Sequence, residues 1–289
     1  MINQLKTVFL LGVLSLGLVG LGSFLGTGAM MLFALLALAM NIGAYFYSDR
    51  IVLRMNRAEE LDERSAPELY AMTRELAANA DIPMPRLYLI DEPQPNAFAT
   101  GRNPDHGVVA VTTGIIRHLS ERELRGVIAH ELAHIKNRDI LIASVAAAVS
   151  TAIPFIANAM QFTAIFGLGG DDEDAPSPLA GLALAFLAPI AATFVQLAIS
   201  RSREFEADAT GARIARDPEG LALALERLQQ GTVAIPAHVE PATASLYIAN
   251  PLAGRRLSNL FSTHPDMGER ITRLRAMRSE FNSARRRIA

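Results

Sequence analysis

The stretch Ser120-Glu121-Arg122-Glu123-Leu124-Arg125-Gly126-Val127-Ile128-Ala129-His130-Glu131-Leu132-Ala133-His134 decides how this chain is read. Ser120 followed three residues later by Glu123 is a capping box, a helix start at which side chain and backbone satisfy each other's free groups. On the helix that follows, His130 and His134 lie one turn apart on one face, so two imidazoles can converge on one metal ion. Glu131 stands beside them, placed to take a proton from water. With 6 His and 17 Glu among 289 residues, chance would supply roughly 0.007 such patterns. At about 100° per residue, Leu124, Val127, Ile128, Leu132 and Ile135 form an apolar stripe. The two histidines lie at its margin and Glu131 inside its edge. A carboxylate flanked by apolar side chains is partly desolvated and therefore more basic.

The chain has no cysteine, which excludes disulfides and thiolate metal sites. A zinc ion on two histidines needs a third protein ligand and an open position for water. The other histidines, 106, 118, 238 and 264, and the glutamates are candidates. Glu204 stands out in Arg203-Glu204-Phe205-Glu206-Ala207-Asp208. Glu204 and Asp208 share a helix face at i,i+4, so Glu204 can bind the metal while Asp208 receives the other ring N–H of a ligand histidine. A solvated charged helix with ion pairs among Arg201, Arg203, Glu204 and Asp208 fits the same spacing. Spacing alone leaves both readings open.

Outside these motifs the chain is 51% hydrophobic and only 19% charged, with a mean hydropathy of +0.24, too apolar for a typical soluble domain. Residues 7–47, 140–170 and 175–200 contain no charge, and uncharged runs longer than about 18 residues read as bilayer spans. The first run is long enough for two helices, breaking at Gly26-Thr27-Gly28 into residues 8–25 and 29–47. Tyr45-Phe46-Tyr47 would form an interfacial aromatic belt. A cleaved signal peptide would need a small-x-small site followed by a polar start, and no clean small-x-small site here is followed by one. The third and fourth spans are expected at 140–167 and 179–200, joined by the acidic loop Asp171-Asp172-Glu173-Asp174. Twelve of the Lys and Arg residues fall between Arg50 and Arg138, and more follow from Arg201. The positive-inside rule then puts both polar segments and both termini in the cytoplasm of a multi-pass protein of the inner (plasma) membrane. The lipid bilayer is thus one expected partner. The net charge of −2 says nothing about nucleic acid, and the lack of a basic face interleaved with aromatics points away from it.

Between the spans, the pattern predicts a helix at 66–80, a strand at 86–90, an extended piece at 96–100 and a strand at 107–112. After the fourth span come helices to about 216 and at 219–230, a Pro/Ala-rich loop at 232–254 and a basic helix from about 266. The expected organisation is two transmembrane helices (1–48), the first part of a catalytic domain (49–139), a membrane hairpin (140–199) and the second part of that domain (200–289). The fold class is α+β, mostly helical, with a zincin-type catalytic domain, a small β-sheet and four transmembrane helices.

The chain resembles the HtpX group of M48 metallopeptidases, a bacterial membrane family related to prenyl-protein proteases. The likeness rests on His130–His134 continuing into Ile135-Lys136-Asn137-Arg138-Asp139, on Pro95-Asn96-Ala97-Phe98-Ala99-Thr100-Gly101, on Arg203-Glu204 through Asp208, and on Ser262-Thr263-His264-Pro265 with Glu269-Arg270. It spans nearly the whole chain. It implies one Zn²⁺ per chain on His130, His134 and Glu204, with Glu131 as general base and Asp208 behind a ligand histidine. His264 would stabilise the transition state by aiming a donor at the developing oxyanion. Arg270 would either pair with the site or line a solvated face. Asn96, Ala97, Phe98 and Ala99 would form an edge strand that holds polypeptide substrate through main-chain hydrogen bonds. The implied activity is a zinc metalloendopeptidase cutting misfolded or membrane proteins in stress-related quality control. Three other readings make distinct demands. A membrane scaffold or chaperone with structural zinc requires a closed fourth coordination position. A transporter requires ionisable residues inside the spans, and the uncharged runs hold none. A prenyl-protein protease requires a large lipid-holding chamber, for which four spans are few.

Overall fold

Two apolar helices lead the chain, α1 (Ile2–Phe24) and α2 (Thr27–Met55). The computed structural model describes residues 2–24, 27–149, 201–239, 241–251 and 265–288. The two helices pack on each other. Leu11, Leu14 and Leu18 meet Ala37 and Ala44, while Asn41 donates to the Ser15 hydroxyl across the pair at 2.8 Å. Their outward faces stay apolar, with Leu5, Val8, Phe9, Leu16, Met31, Leu32 and Leu35 all exposed, an arrangement suited to lipid rather than water. A third apolar helix, α6 (Ile140–Val149), buries Leu141, Ile142, Val145 and Val149 against this pair. Among the described residues one helix, Met30–Met55, is long and apolar enough to cross a membrane, and Leu5–Gly20 and Ile140–Val149 are shorter apolar helices. The remainder of the expected third span, the acidic loop and the fourth span lie outside the described residues.

The second helix was expected to stop at Tyr47, but α2 continues through Asp49 and Arg50 to Met55. Its last turns bury Val52 and Leu53 against Ile90, Phe98, Val108 and Tyr247 of the polar domain. Tertiary burial therefore carries the helix past the charges, and the apolar helix enters the domain without a linker.

That domain centres on a four-stranded sheet in the order β1-β2-β4-β3: β1 (Glu59–Glu60), β2 (Arg86–Ile90), β3 (Ala97–Thr100) and β4 (Val108–Thr112). β2 and β4 are parallel, with Leu87 opposite Val109, and the outer strands are antiparallel to them. The central β4 is buried on both faces from Val108 to Val111, which explains its unbroken apolar run. α3 (Pro67–Ala80), α4 (Thr113–His118) and α5 (Glu121–Lys136) belong to this half. The sequence pattern did not anticipate β1 or α4. β1 has two exposed residues and so no apolar alternation, and α4 is too short to show a helical period.

The second half supplies α7 (Arg201–Ala215), α8 (Pro218–Ala234) and α9 (Met267–Ile288). α8 runs four residues past its expected end, and a short 3₁₀ turn at Pro241–Leu246 occupies the expected loop. α5 lies in the middle, touching α3, β3, α7 and α8. Its capping box forms as expected: the Glu123 carboxylate accepts from the Ser120 backbone N–H at 2.8 Å and from its hydroxyl at 2.6 Å. The one-sided apolar stripe understates its burial. Gly126, Ala129 and Ala133 are also buried, because small residues let α7 and α8 approach closely.

Candidate metal centre

The crossing of α5 and α7 builds the site. At Gly211 on α7, a Cβ atom would stand 2.8 Å from His130 Cα and 2.9 Å from its backbone nitrogen. Only a glycine permits this approach, and it sets the Glu204 and Asp208 face of α7 against the histidines of α5. His130 Nε2 and His134 Nε2 are 3.2 Å apart, and Glu204 carboxylate oxygens lie 3.8 and 3.6 Å from them. All three ligand atoms fall within 4.8 Å of one another. Nitrogens held tetrahedrally at 2.0–2.1 Å from zinc would be separated by about 3.3 Å, so the ring spacing already suits the ion. Two histidines and a carboxylate with a position left open is a donor set of catalytic zinc. The residues present fit the metal.

Each ligand histidine is backed by an aspartate. His130 Nδ1 lies 3.0 Å from Asp208 Oδ1, with its N–H poorly aligned on that oxygen. His134 Nδ1 donates to Asp139 Oδ2 at 3.2 Å. Asp139 reaches it through the way α5 ends. Arg138 adopts the left-handed conformation (φ 60°), Asp139 N–H returns to the His134 carbonyl at 3.0 Å, and Arg138 N–H returns to the Ile135 carbonyl at 3.1 Å. This is a Schellman turn, and it folds Asp139 back beneath the histidine one turn earlier. The sequence reading missed Asp139; an acid five residues past the second histidine, at a helix end, was the available signal.

Glu131 is buried and accepts the Ala99 backbone N–H. Burial pushes its carboxyl up to about 7, with the Glu204 charge adding and His134 and Arg270 opposing. Its Oε1 accepts no hydrogen bond, and the side chain lines a cavity with Ala99, His134, Asp139, Arg203, Glu204, Ser245 and Leu246. Burial lowers His130 below the usual histidine value, against the pull of Asp208. His134 is also opposed by burial, but its bond to Asp139 and the charges of Glu204 and Glu131 outweigh it and raise the ring to about 9. Metal binding needs both rings deprotonated, so an ion would compete with protons chiefly at His134.

The other expected residues divide. Arg270 belongs to the site rather than to a solvated face: it is fully buried and bonds both Asp208 oxygens. Glu206, two residues from Glu204, is exposed. β3 is an edge strand of the sheet, and Asn96 exchanges bonds with Thr112 on β4, so Ala97 and Ala99 turn their main-chain groups outward. The Ala97 carbonyl accepts Ile248 N–H at 3.0 Å, and the Asn96 side chain brackets Ala249. Phe98 is buried edge-on against Tyr247. Of these four residues, Ala99 alone lines the cavity. His264 lies outside the described residues. His106, His118 and His238 bond or face local partners away from the cluster.

Fold and site together fit a metallopeptidase, with the candidate metal ligands converging between α5 and α7. The model of peptidase family M48 matches residues 63–278. A protease HtpX homolog of Burkholderia thailandensis is 53% identical over 282 residues, covering 96% of this chain and 98% of its own. One from Desulfatibacillum aliphaticivorans is 51% identical over 285 residues, covering 98% and 92%. The chain belongs to peptidase family M48, in its HtpX-type group. In three dimensions it is similar to the crystal structure of S. mikatae Ste24p, with a TM-score of 0.52 and 19% identity over 95% of this chain, which spans 65% of that one. At that identity the likeness speaks for the fold.

Proposed function

We propose that this protein is a membrane-bound zinc endopeptidase that cleaves peptide bonds of misfolded or membrane proteins. One observation carries the chemistry: Glu131, buried and held near pH 7, shares a cavity with His134 and Glu204 of the converging ligand trio. A structural metal site has no use for a buried base at its side.

His130, His134 and Glu204 would hold one zinc ion per chain. When bound, the ion supplies Lewis acidity for the scissile carbonyl and for water. Glu131 takes a proton from the attacking water and returns it to the leaving amine, as a base with a pKa near the working pH does best. Its bond from Ala99 N–H keeps the carboxylate aimed into the cavity. Asp208 and Asp139 hold the Nδ1 sides of the two rings, so that both Nε2 atoms face one point. His264, on the Ser-Thr-His-Pro stretch before α9, is assigned the donor to the developing oxyanion. The β3 main chain at Ala99, next to Glu131, would receive an extended polypeptide; Asn96, Ala97 and Phe98, which bond to or pack on the Tyr247–Ala249 segment, would hold the strand that does so.

The exposed apolar faces of α1 and α2 and the charge asymmetry support a four-span protein of the inner membrane, with the catalytic domain and both termini in the cytoplasm. The test is zinc content and casein cleavage by purified wild type and Glu131→Gln. The variant should keep its zinc and lose cleavage, because an amide cannot accept the proton. Proteolysis retained in Glu131→Gln would favour the scaffold with structural zinc.

A further inference from the structure

Arg270 is the largest fully buried side chain among the described residues, and a charge so placed needs a complete set of partners. A guanidinium has five N–H donors in a fixed fork, and here three of them are held by Asp208 and the Ile248 carbonyl while the other two face the ligands His130 and Glu204. Nε donates to Asp208 Oδ2 at 2.8 Å and Nη2 to Asp208 Oδ1 at 2.7 Å. The second Nη2 donor points to His130 Nε2 at 3.4 Å. Nη1 donates to the Ile248 carbonyl at 3.0 Å and lies 3.5 Å from Glu204 Oε2. Arg270 thus comes from α9, in the last described stretch of the chain, yet it touches the aspartate behind His130, the ligand Glu204 and the segment laid along β3.

We infer that Arg270 is a positioning residue of the metal centre: its fork locks Asp208, and through it the ring of His130, in the orientation that binds the ion. This rests on the metal-centre reading above. The alternative role, a cation touching the reacting carbonyl, conflicts with the geometry, because the side chain has no exposed surface and three of its donors are held by Asp208 and the Ile248 carbonyl. The bidentate grip also makes arginine specific here. Lysine has the charge but not the planar fork, and could hold only one Asp208 oxygen at this distance. A consequence follows for the order of assembly. α5 and α7 bring the ligands together, but the His130–Asp208 pair is fixed only when α9 docks on α7 and α8.

The experiment measures zinc affinity by chelator competition, and proteolysis at saturating zinc, on the full-length protein in detergent. Arg270→Gln should weaken zinc binding by about 10–100-fold and Arg270→Lys by about 10-fold, the range expected when a partner behind a ligand is lost. Both should recover most of their turnover once zinc is saturating. Asp208→Asn combined with Arg270→Gln should bind zinc no more weakly than Asp208→Asn alone, since both changes break one linkage. Arg278→Gln, which removes an exposed arginine from the same helix, should match wild type. Unchanged zinc affinity with turnover lost at saturating zinc would overturn the inference and place Arg270 on the reacting atoms. Multiplying losses in the double variant would overturn it as well. If Arg270→Gln does not fold, Arg270→Lys carries the same test. A wild type that binds no zinc at all would instead defeat the metal-centre reading, so the two failures are distinguishable.

Discussion

Replacing Gly211 by alanine tests the crossing that assembles the site. On an isolated helix the change should stabilise, because alanine exceeds glycine in helix propensity by about 1 kcal/mol. Here the added Cβ would meet His130 Cα at 2.8 Å, His130 N at 2.9 Å and the Ala129 carbonyl carbon at 3.1 Å. All three are backbone atoms of α5, and none can turn aside as a flexible side chain could. To restore a contact of about 3.4 Å, α7 must retreat by roughly 0.6 Å, and overpacking of this kind costs about 1–3 kcal/mol. Metal–ligand distances tolerate about ±0.2 Å, and Glu204 rides on the helix that moves. Gly211→Ala should therefore lower Tm by several degrees and weaken zinc binding at least about tenfold. Thermal melts of the metal-free protein and chelator competition read the two effects separately. Leu76→Ala on α3 is the control: it removes a fully buried side chain at about 2–5 kcal/mol from a helix that carries no ligand. It should lower Tm and spare zinc affinity. A Gly211→Ala protein that is more stable than wild type, with normal zinc binding, would refute the crossing. One that is less stable yet binds zinc normally would show that the crossing does not set the ligand geometry.

Two further outcomes are expected. Glu204→Ala should lose zinc and activity together while Glu206→Ala loses neither, because Glu204 faces the histidines and Glu206 faces solvent; metal analysis showing the reverse ranking would put α7 in the wrong rotation. A topology reporter fused at Glu173 should read as non-cytoplasmic, and a cytoplasmic reading there would remove the proposed four-span arrangement.

The sequence by itself carried the chemistry proposed here and most of the described elements. His130, Glu131 and His134 were legible because a helix places residues four apart on one face, so a local spacing carries the metal geometry without tertiary knowledge. The capping box, α3, β2, β4 and the two leading helices were legible because their signals, cap spacing and apolar runs, are written within a few residues. What only the tertiary structure decided is where distant segments meet. Spacing left Glu204 open between a ligand and a solvated acid, and it is the close approach at Gly211 that turns it to the histidines. Asp139 depends on a left-handed turn at Arg138, a residue whose side chain gives no sign of that backbone state. Arg270 was left open between pairing with the site and lining a solvated face, and burial with Asp208, 62 positions earlier, places it at the site. α2 passes Tyr47 for a similar reason: Val52 and Leu53 find their apolar partners in the folded domain, and burial against remote segments outweighs the local charges.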